Sequence, residues 1–170
     1  TLTSADPARV TVAHNSMFSG HIAGAISLDK VGNTTLMLTN TNPYSGTTAV
    51  RQGTLYLRDL GSLPNTTQVD LNYARIEIED GALYHVNDRI NPAATLNMRG
   101  GDFYNRGRAG TLTQQHFDTV NLLAGQNLFQ TQASGSGATE TVIANLNRTA
   151  GATVAFQQNY GFIGTAGNDT

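Results

Sequence analysis

In YARIEIEDG, residues 73–81, Arg75, Glu77 and Glu79 alternate with Ile76 and Ile78. A strand turns the two isoleucines to one face and the three charged side chains to the other. Two carboxylates on a shared face can divide acid and base roles on a glycoside, so Glu77 and Glu79 are the first candidates for a carbohydrate-active or glycan-binding surface. The same alternation describes a solvated strand face, where an Arg–Glu pair contributes little. That plainer reading is the expectation, with no catalytic residue assigned.

The remaining reactive side chains are more scattered. His14, His21, His85 and His116 lack the close spacing of a zinc site, so neither a metal nor any other cofactor is expected. The segment MRGGDFYNRGRAG, residues 98–110, gathers Arg99, Arg106 and Arg108 with Phe103 and Tyr104, the residue types of a nucleic-acid stacking patch. A glycine-rich corner loop carrying arginines is the preferred interpretation, and such arginines could also contact a neighbouring subunit. GTAGNDT, residues 164–170, faintly resembles a calcium-binding nonapeptide, but those sites need successive copies. Glycosylation acceptor patterns at Asn33, Asn65, Asn147 and Asn168 are expected by chance in a chain so rich in Thr and Asn.

The elements that must position these side chains follow from composition and periodicity. The chain has 170 residues, no cysteine, 13% charged residues and a formal net charge of -2. It is long enough for one domain with a buried core, so residues 1–170 are read as a single module. Without cysteine there is no disulfide framework, thiolate nucleophile or Cys-based metal site. Near-neutral charge gives no reason to expect nucleic acid. No run approaches the ~20 apolar residues of a membrane helix, and no export signal opens at Thr1, so no membrane insertion is expected and any such signal would lie outside this segment. Abundant Thr, Asn, Gln and Ser, with 18 glycines, indicates an all-β chain.

Two-step apolar doublets recur along it: Leu36/Leu38, Leu55/Leu57, Ile76/Ile78, Leu96/Met98, Val120/Leu122, Val142/Ala144 and Val154/Phe156. Through Val142 they are spaced by about 19 to 24 residues, the range of a solenoid coil built from short strands. Spacing alone does not separate a solenoid from an antiparallel sandwich. The corners favour the solenoid, because the only Asp-Gly is in EDGALYHV and most bends are wider. Each doublet then stacks on the next in the interior. At TLTQQHFDTVNLLAG, residues 111–125, loop followed by strand is preferred over a short helix.

From Ser19 to Leu57 the chain resembles the autotransporter-associated β-strand repeat of bacterial passenger regions. The resemblance rests on Leu28 and Lys30 with Gly32, on Leu36 and Leu38, on Asn42, Tyr44, Gly46 and Thr48, and on Gly53, Thr54, Leu55 and Leu57. Asn40 and Pro43 depart from the usual Gly and Thr, but Asn tolerates a left-handed backbone and Pro fixes a turn. Residues 19–57 carry the clearest phrase, and residues 58–170 supply further coils. The resemblance implies a right-handed parallel β-helix, located extracellularly or on the bacterial cell surface, and implies no catalytic residues. The single lysine, Lys30, belongs to this structural phrase, which weakens a lyase reading further.

The expected core is Leu36, Leu38, Tyr44, Leu55, Leu57, Ile76, Ile78, Leu96, Met98, Val120, Leu122, Val154 and Phe156, with Gly32, Asn42, Pro43, Gly46 and Gly53 at the corners. The expected role is a rigid spacer, adhesin rod or filament unit. Solenoid ends without a polar cap invite stacking, so the expected partners are neighbouring modules or copies of the chain, then surface glycans. Thr1 and Thr170 are expected to be junctions.

Overall fold

A computed structural model describes residues 1–159. Its fourteen strands are β1 (Leu2–Val12), β2 (Ser16–Phe18), β3 (Ile22–Val31), β4 (Thr35–Leu38), β5 (Thr48–Arg51), β6 (Thr54–Arg58), β7 (Gln68–Asn72), β8 (Arg75–Glu79), β9 (Thr95–Arg99), β10 (Asp102–Arg106), β11 (Leu112–Ala124), β12 (Gln126–Gln132), β13 (Ala138–Arg148) and β14 (Thr153–Asn159). The odd-numbered strands form one seven-stranded sheet and the even-numbered strands another, each in chain order. Every pairing between these strands is parallel. Each coil thus contributes one strand to each sheet, which is a parallel β-solenoid.

The sequence explains the strands locally. From β6 to β10 each five-residue strand except the last-named pair's polar tips alternates half-buried and buried positions, with Leu55/Leu57, Val69/Leu71, Ile76/Ile78 and Leu96/Met98 inside. Stacking these positions buries one continuous core, so each coil is stabilised by its neighbours. Isolated bridges Gly24–Tyr44, Thr41–Ser62 and Leu63–Ile90 close the remaining side.

The passage from an odd to an even strand is a tight corner with a left-handed residue: Gly32, Gly53, Tyr73, Gly100 and Gly125 all have positive φ. At Gly53 an added Cβ would lie 2.2 Å from the Thr34 carbonyl oxygen of the preceding coil. Only glycine allows that approach.

The coil length differs from the uniform spacing expected. In the even sheet, Leu36 pairs with Leu55 and Leu55 with Ile76, 19 and 21 residues apart, whereas Ile76 to Phe103 and Phe129 to Phe156 each take 27. The doublets of the sequence also change sheets: Leu36 to Ile78 lie in the even sheet, but Leu96/Met98 and Val120/Leu122 lie in the odd one. The reason is that β10 and β12 present Phe103/Asn105 and Phe129/Thr131 inward, which is not an aliphatic doublet. Val142/Ala144 is corrected as well. Val120 pairs with Leu146, and Ile143 is the residue of that stretch packed on the core.

Residues 111–125 form no helix; β11 is their 13-residue strand. Its inward phase changes between Phe117 and Val120, where the chain turns a corner without leaving the ladder.

Candidate functional site

Glu77 and Glu79 stand on the outward face of β8, between Tyr56 on β6 and Tyr104 on β10. Their alternation with Ile76 and Ile78 places them there, since the isoleucines are buried. Both carboxylates are held by one cation: Arg106 Nη1 lies 3.2 Å from Glu77 and 2.7 Å from Glu79. Arg75 approaches Glu77 at 3.8 Å and donates through Nε to Asp102 at 2.7 Å. The Tyr104 ring lies between the two guanidiniums, 5.4 Å from that of Arg75 and 5.9 Å from that of Arg106.

The electrostatics follow this pairing. Burial works against the charge of Arg106, but Glu79 and Glu77 outweigh it and raise its pKa. Burial pushes the Asp102 carboxyl up, opposed by Arg75. Burial, then Glu79 and Glu77, push the Tyr56 hydroxyl up. The patch is an interlocked charge ladder across three strands. Its carboxylates already have partners, and its central ring is flanked by cations.

The arginine-rich segment disperses. Asp102–Arg106 is strand β10, not corner loop, with Phe103 buried. Arg99 faces Asp70 at 3.8 Å, Arg106 faces the two glutamates, and Arg108 donates to the Ala82 carbonyl at 3.0 Å. An alternating Asp-Phe-Tyr-Asn-Arg between glycines signals a strand, and the glycines obscured it.

The histidines do not converge. His14 is exposed, and His21 donates to the Thr41 carbonyl at 2.6 Å. His116 Nδ1 lies 2.9 Å from Asp88 and His85 Nδ1 2.6 Å from Asp80. Among the described residues no group of three His, Cys, Asp or Glu side chains is placed to hold a metal ion. GTAGNDT and Asn168 lie outside the described residues.

Sequence reasoning missed a second cluster, in the connection between β8 and β9. Asp80 is fully buried and accepts from Arg89 Nη2 at 3.0 Å, Val86 N at 2.8 Å, His85 and Thr113 Oγ1 at 2.9 Å. Arg89, also fully buried, donates Nη1 to the carbonyls of Asp59 and Gly61 in the preceding coil. Burial alone would raise the Asp80 pKa, but these hydrogen bonds outweigh it and hold the carboxyl below its usual range. The cluster joins three successive coils. Its signal was the longer spacing after Ile78, which marks an inserted connection.

The corner residues are placed as follows. Tyr44 is fully buried, its hydroxyl 2.6 Å from Thr48 Oγ1, and burial pushes that hydroxyl well above its usual range. Asn42 is buried and accepts from Ile22 N at 3.0 Å, supplying a hydrogen bond where the ladder is interrupted. Pro43 lies beside them, half-buried, and a Cβ at Gly46 would meet the Ile26 carbonyl oxygen at 2.3 Å. Lys30 is fully buried and donates to the Val31 and Gly32 carbonyls at 2.9 and 2.8 Å; burial lowers its pKa. Leu36 through Leu122 of the expected core are buried, and Val154 is partly so. Phe156 is corrected: it is 44% exposed because its column ends there, although it stacks on Phe129 at 5.7 Å.

Comparison with known proteins identifies one family. Residues 28–57 match the passenger-associated-transport-repeat, and that stretch runs from Leu28 through β4 and β5 to Leu57, about one and a half coils. No curated protein and no solved structure matches the chain.

Proposed function

From a passenger-type repeat at residues 28–57 set in a continuous parallel solenoid, we propose that the chain is a structural, non-enzymatic segment of a bacterial extracellular or cell-surface protein. It acts as a rigid spacer or adhesin rod, lengthened at its ends by neighbouring coils. The observation that carries this reading is the outward charge ladder. Glu77 and Glu79, the best candidates for chemistry, are both paired to Arg106 and serve to bind β8 to β10.

In its adhesive form the rod meets surface glycans along the outward face of β6, β8 and β10, where polar side chains stand on straight columns. Shape and turnover measured on one preparation test the proposal. Solution scattering is expected to show an elongated particle, with no product from a panel of neutral and acidic polysaccharides. Turnover by the wild type that is abolished in Glu77→Gln overturns it.

A further inference from the structure

The two ends of the solenoid are unlike, and they fit each other. One interior column of the even sheet runs from Ser16 through Leu36 to Phe129 and Phe156. At its N-terminal end the column is one side chain short. Ser16 stands where the next coil carries Leu36, and a cavity of about 320 Å³ opens there, lined mainly by Val10, Val12, Phe18, Ile22, Leu36 and Leu38. At the other end Phe156 protrudes, 44% exposed and stacked on Phe129.

We propose that the C-terminal coil of one copy docks on the N-terminal coil of a second, with Phe156 entering the cavity beside Ser16. Strand β13 then pairs with β1, and β14 with β2, in the parallel register used inside the molecule. The inference rests on the rod reading and specifies its partner as a second copy of this chain.

Three further relationships support it. The contact continues an interface that each sheet already repeats six times. The two edge strands match, β1 and β13 each having 11 residues, and their columns match as well, since Leu146, 43% exposed, stands in the interior column that begins at Val10. On the outside, Asn147 donates to Asn121, Asn121 to Asn97 and Asn97 to Asp70 at 2.9 to 3.0 Å. Thr11 begins that same column, so its hydroxyl can donate to Asn147 and extend the ladder.

Pro7 would be expected to guard an edge strand. Here it falls between Ser4 and Ala8, where β1 leaves the pairing register, so both paired segments of β1 keep their hydrogen-bonding groups. Head-to-tail contact of this kind does not close on itself, and it propagates as a fibre.

The chain has no cysteine, so crosslinking has no background. Met17 and Gln157 share one outward column, and docking brings them to one rung spacing, ~4.8 Å, within disulfide reach. Oxidising Met17→Cys/Gln157→Cys at rising protein concentration is expected to give a ladder of linked species beyond the dimer. Met37→Cys/Gln157→Cys, whose first site lies one coil inside, is expected to give none. Adding Ser16→Trp, which fills the cavity, or Phe156→Asp is expected to reduce the ladder at least tenfold; circular dichroism checks the fold, and Ser16→Trp decides if Phe156→Asp disturbs it. Absence of a ladder, an equal ladder from the Met37 pair, or one insensitive to filling the cavity overturns the inference. An elongated particle that stays monomeric in sedimentation sinks this contact alone and leaves the rod reading standing.

Discussion

Asp80 and Arg89 form an ion pair of 3.0 Å in which both side chains are fully buried. It sits where the even sheet changes from a 21-residue to a 27-residue coil. A longer connection has backbone carbonyls that the strand ladder no longer satisfies. Arg89 supplies donors to three of them, at Asp59, Gly61 and Tyr84, while Asp80 balances its charge.

Removing one partner leaves a buried charge alone. Arg89→Met and Asp80→Asn are each expected to cost ~3–5 kcal/mol, and the double variant less than the sum of the two. Urea unfolding of the four proteins measures the coupling. Strictly additive losses would show that the pair is not a unit.

The pH dependence has a defined sign. The Asp80 pKa is lower in the folded chain than in the unfolded one. Its contribution is therefore fully present above the unfolded value of ~3.9 and is lost as pH falls through the folded value. Asp102 is raised by burial, so its contribution has the opposite sign. Acid-induced loss of stability should flatten in Asp80→Asn and steepen in Asp102→Asn, as read from urea midpoints along an acid series. Parallel curves for both variants would contradict this assignment.

Glycine corners differ in what surrounds them. Gly53 and Gly151 both have positive φ, but an added methyl at Gly53 meets backbone at 2.2 Å and one at Gly151 meets nothing within 4 Å. Gly151→Ala is expected to cost ~1–2 kcal/mol from the backbone conformation alone. Gly53→Ala should cost distinctly more by thermal unfolding. Equal losses would mean that close packing of coils is not what Gly53 provides.

Lys30 is the only lysine and is fully buried. An amine-directed reagent should leave it unmodified in the native protein, and its modification should follow global unfolding in urea, as read by mass spectrometry. Rapid labelling under native conditions would show that this interior column is open.

Glu77→Gln should lower stability by ~1 kcal/mol or less, because Arg106 is partly exposed and keeps Glu79. A loss several times larger in urea unfolding would assign Glu77 a greater role in joining the strands.

The fold was legible where one aliphatic doublet marks each coil. Leu36/Leu38, Leu55/Leu57 and Ile76/Ile78 stack directly, and Gly32 and Gly53 take the left-handed corners between the sheets. Legibility failed where polar side chains enter the interior. Asn105 and Gln115 are fully buried and bond to the backbone of neighbouring coils, so β10 and the first half of β11 carry no hydrophobic signature. The outward pairing of Glu77 and Glu79 followed from strand alternation. Their shared bond to Arg106 did not, because it depends on a coil 27 residues later.

Spin-label distances along one outward column test the central claim that successive coils stack axially. Cysteine pairs joining Gln157 to Met17, Met37 or Tyr56 span six, five and four rungs. Measured with labelled protein diluted into unlabelled chain, the distances should fall by ~4.8 Å at each step, from ~29 Å. Distances that do not change in order along the series would contradict the solenoid.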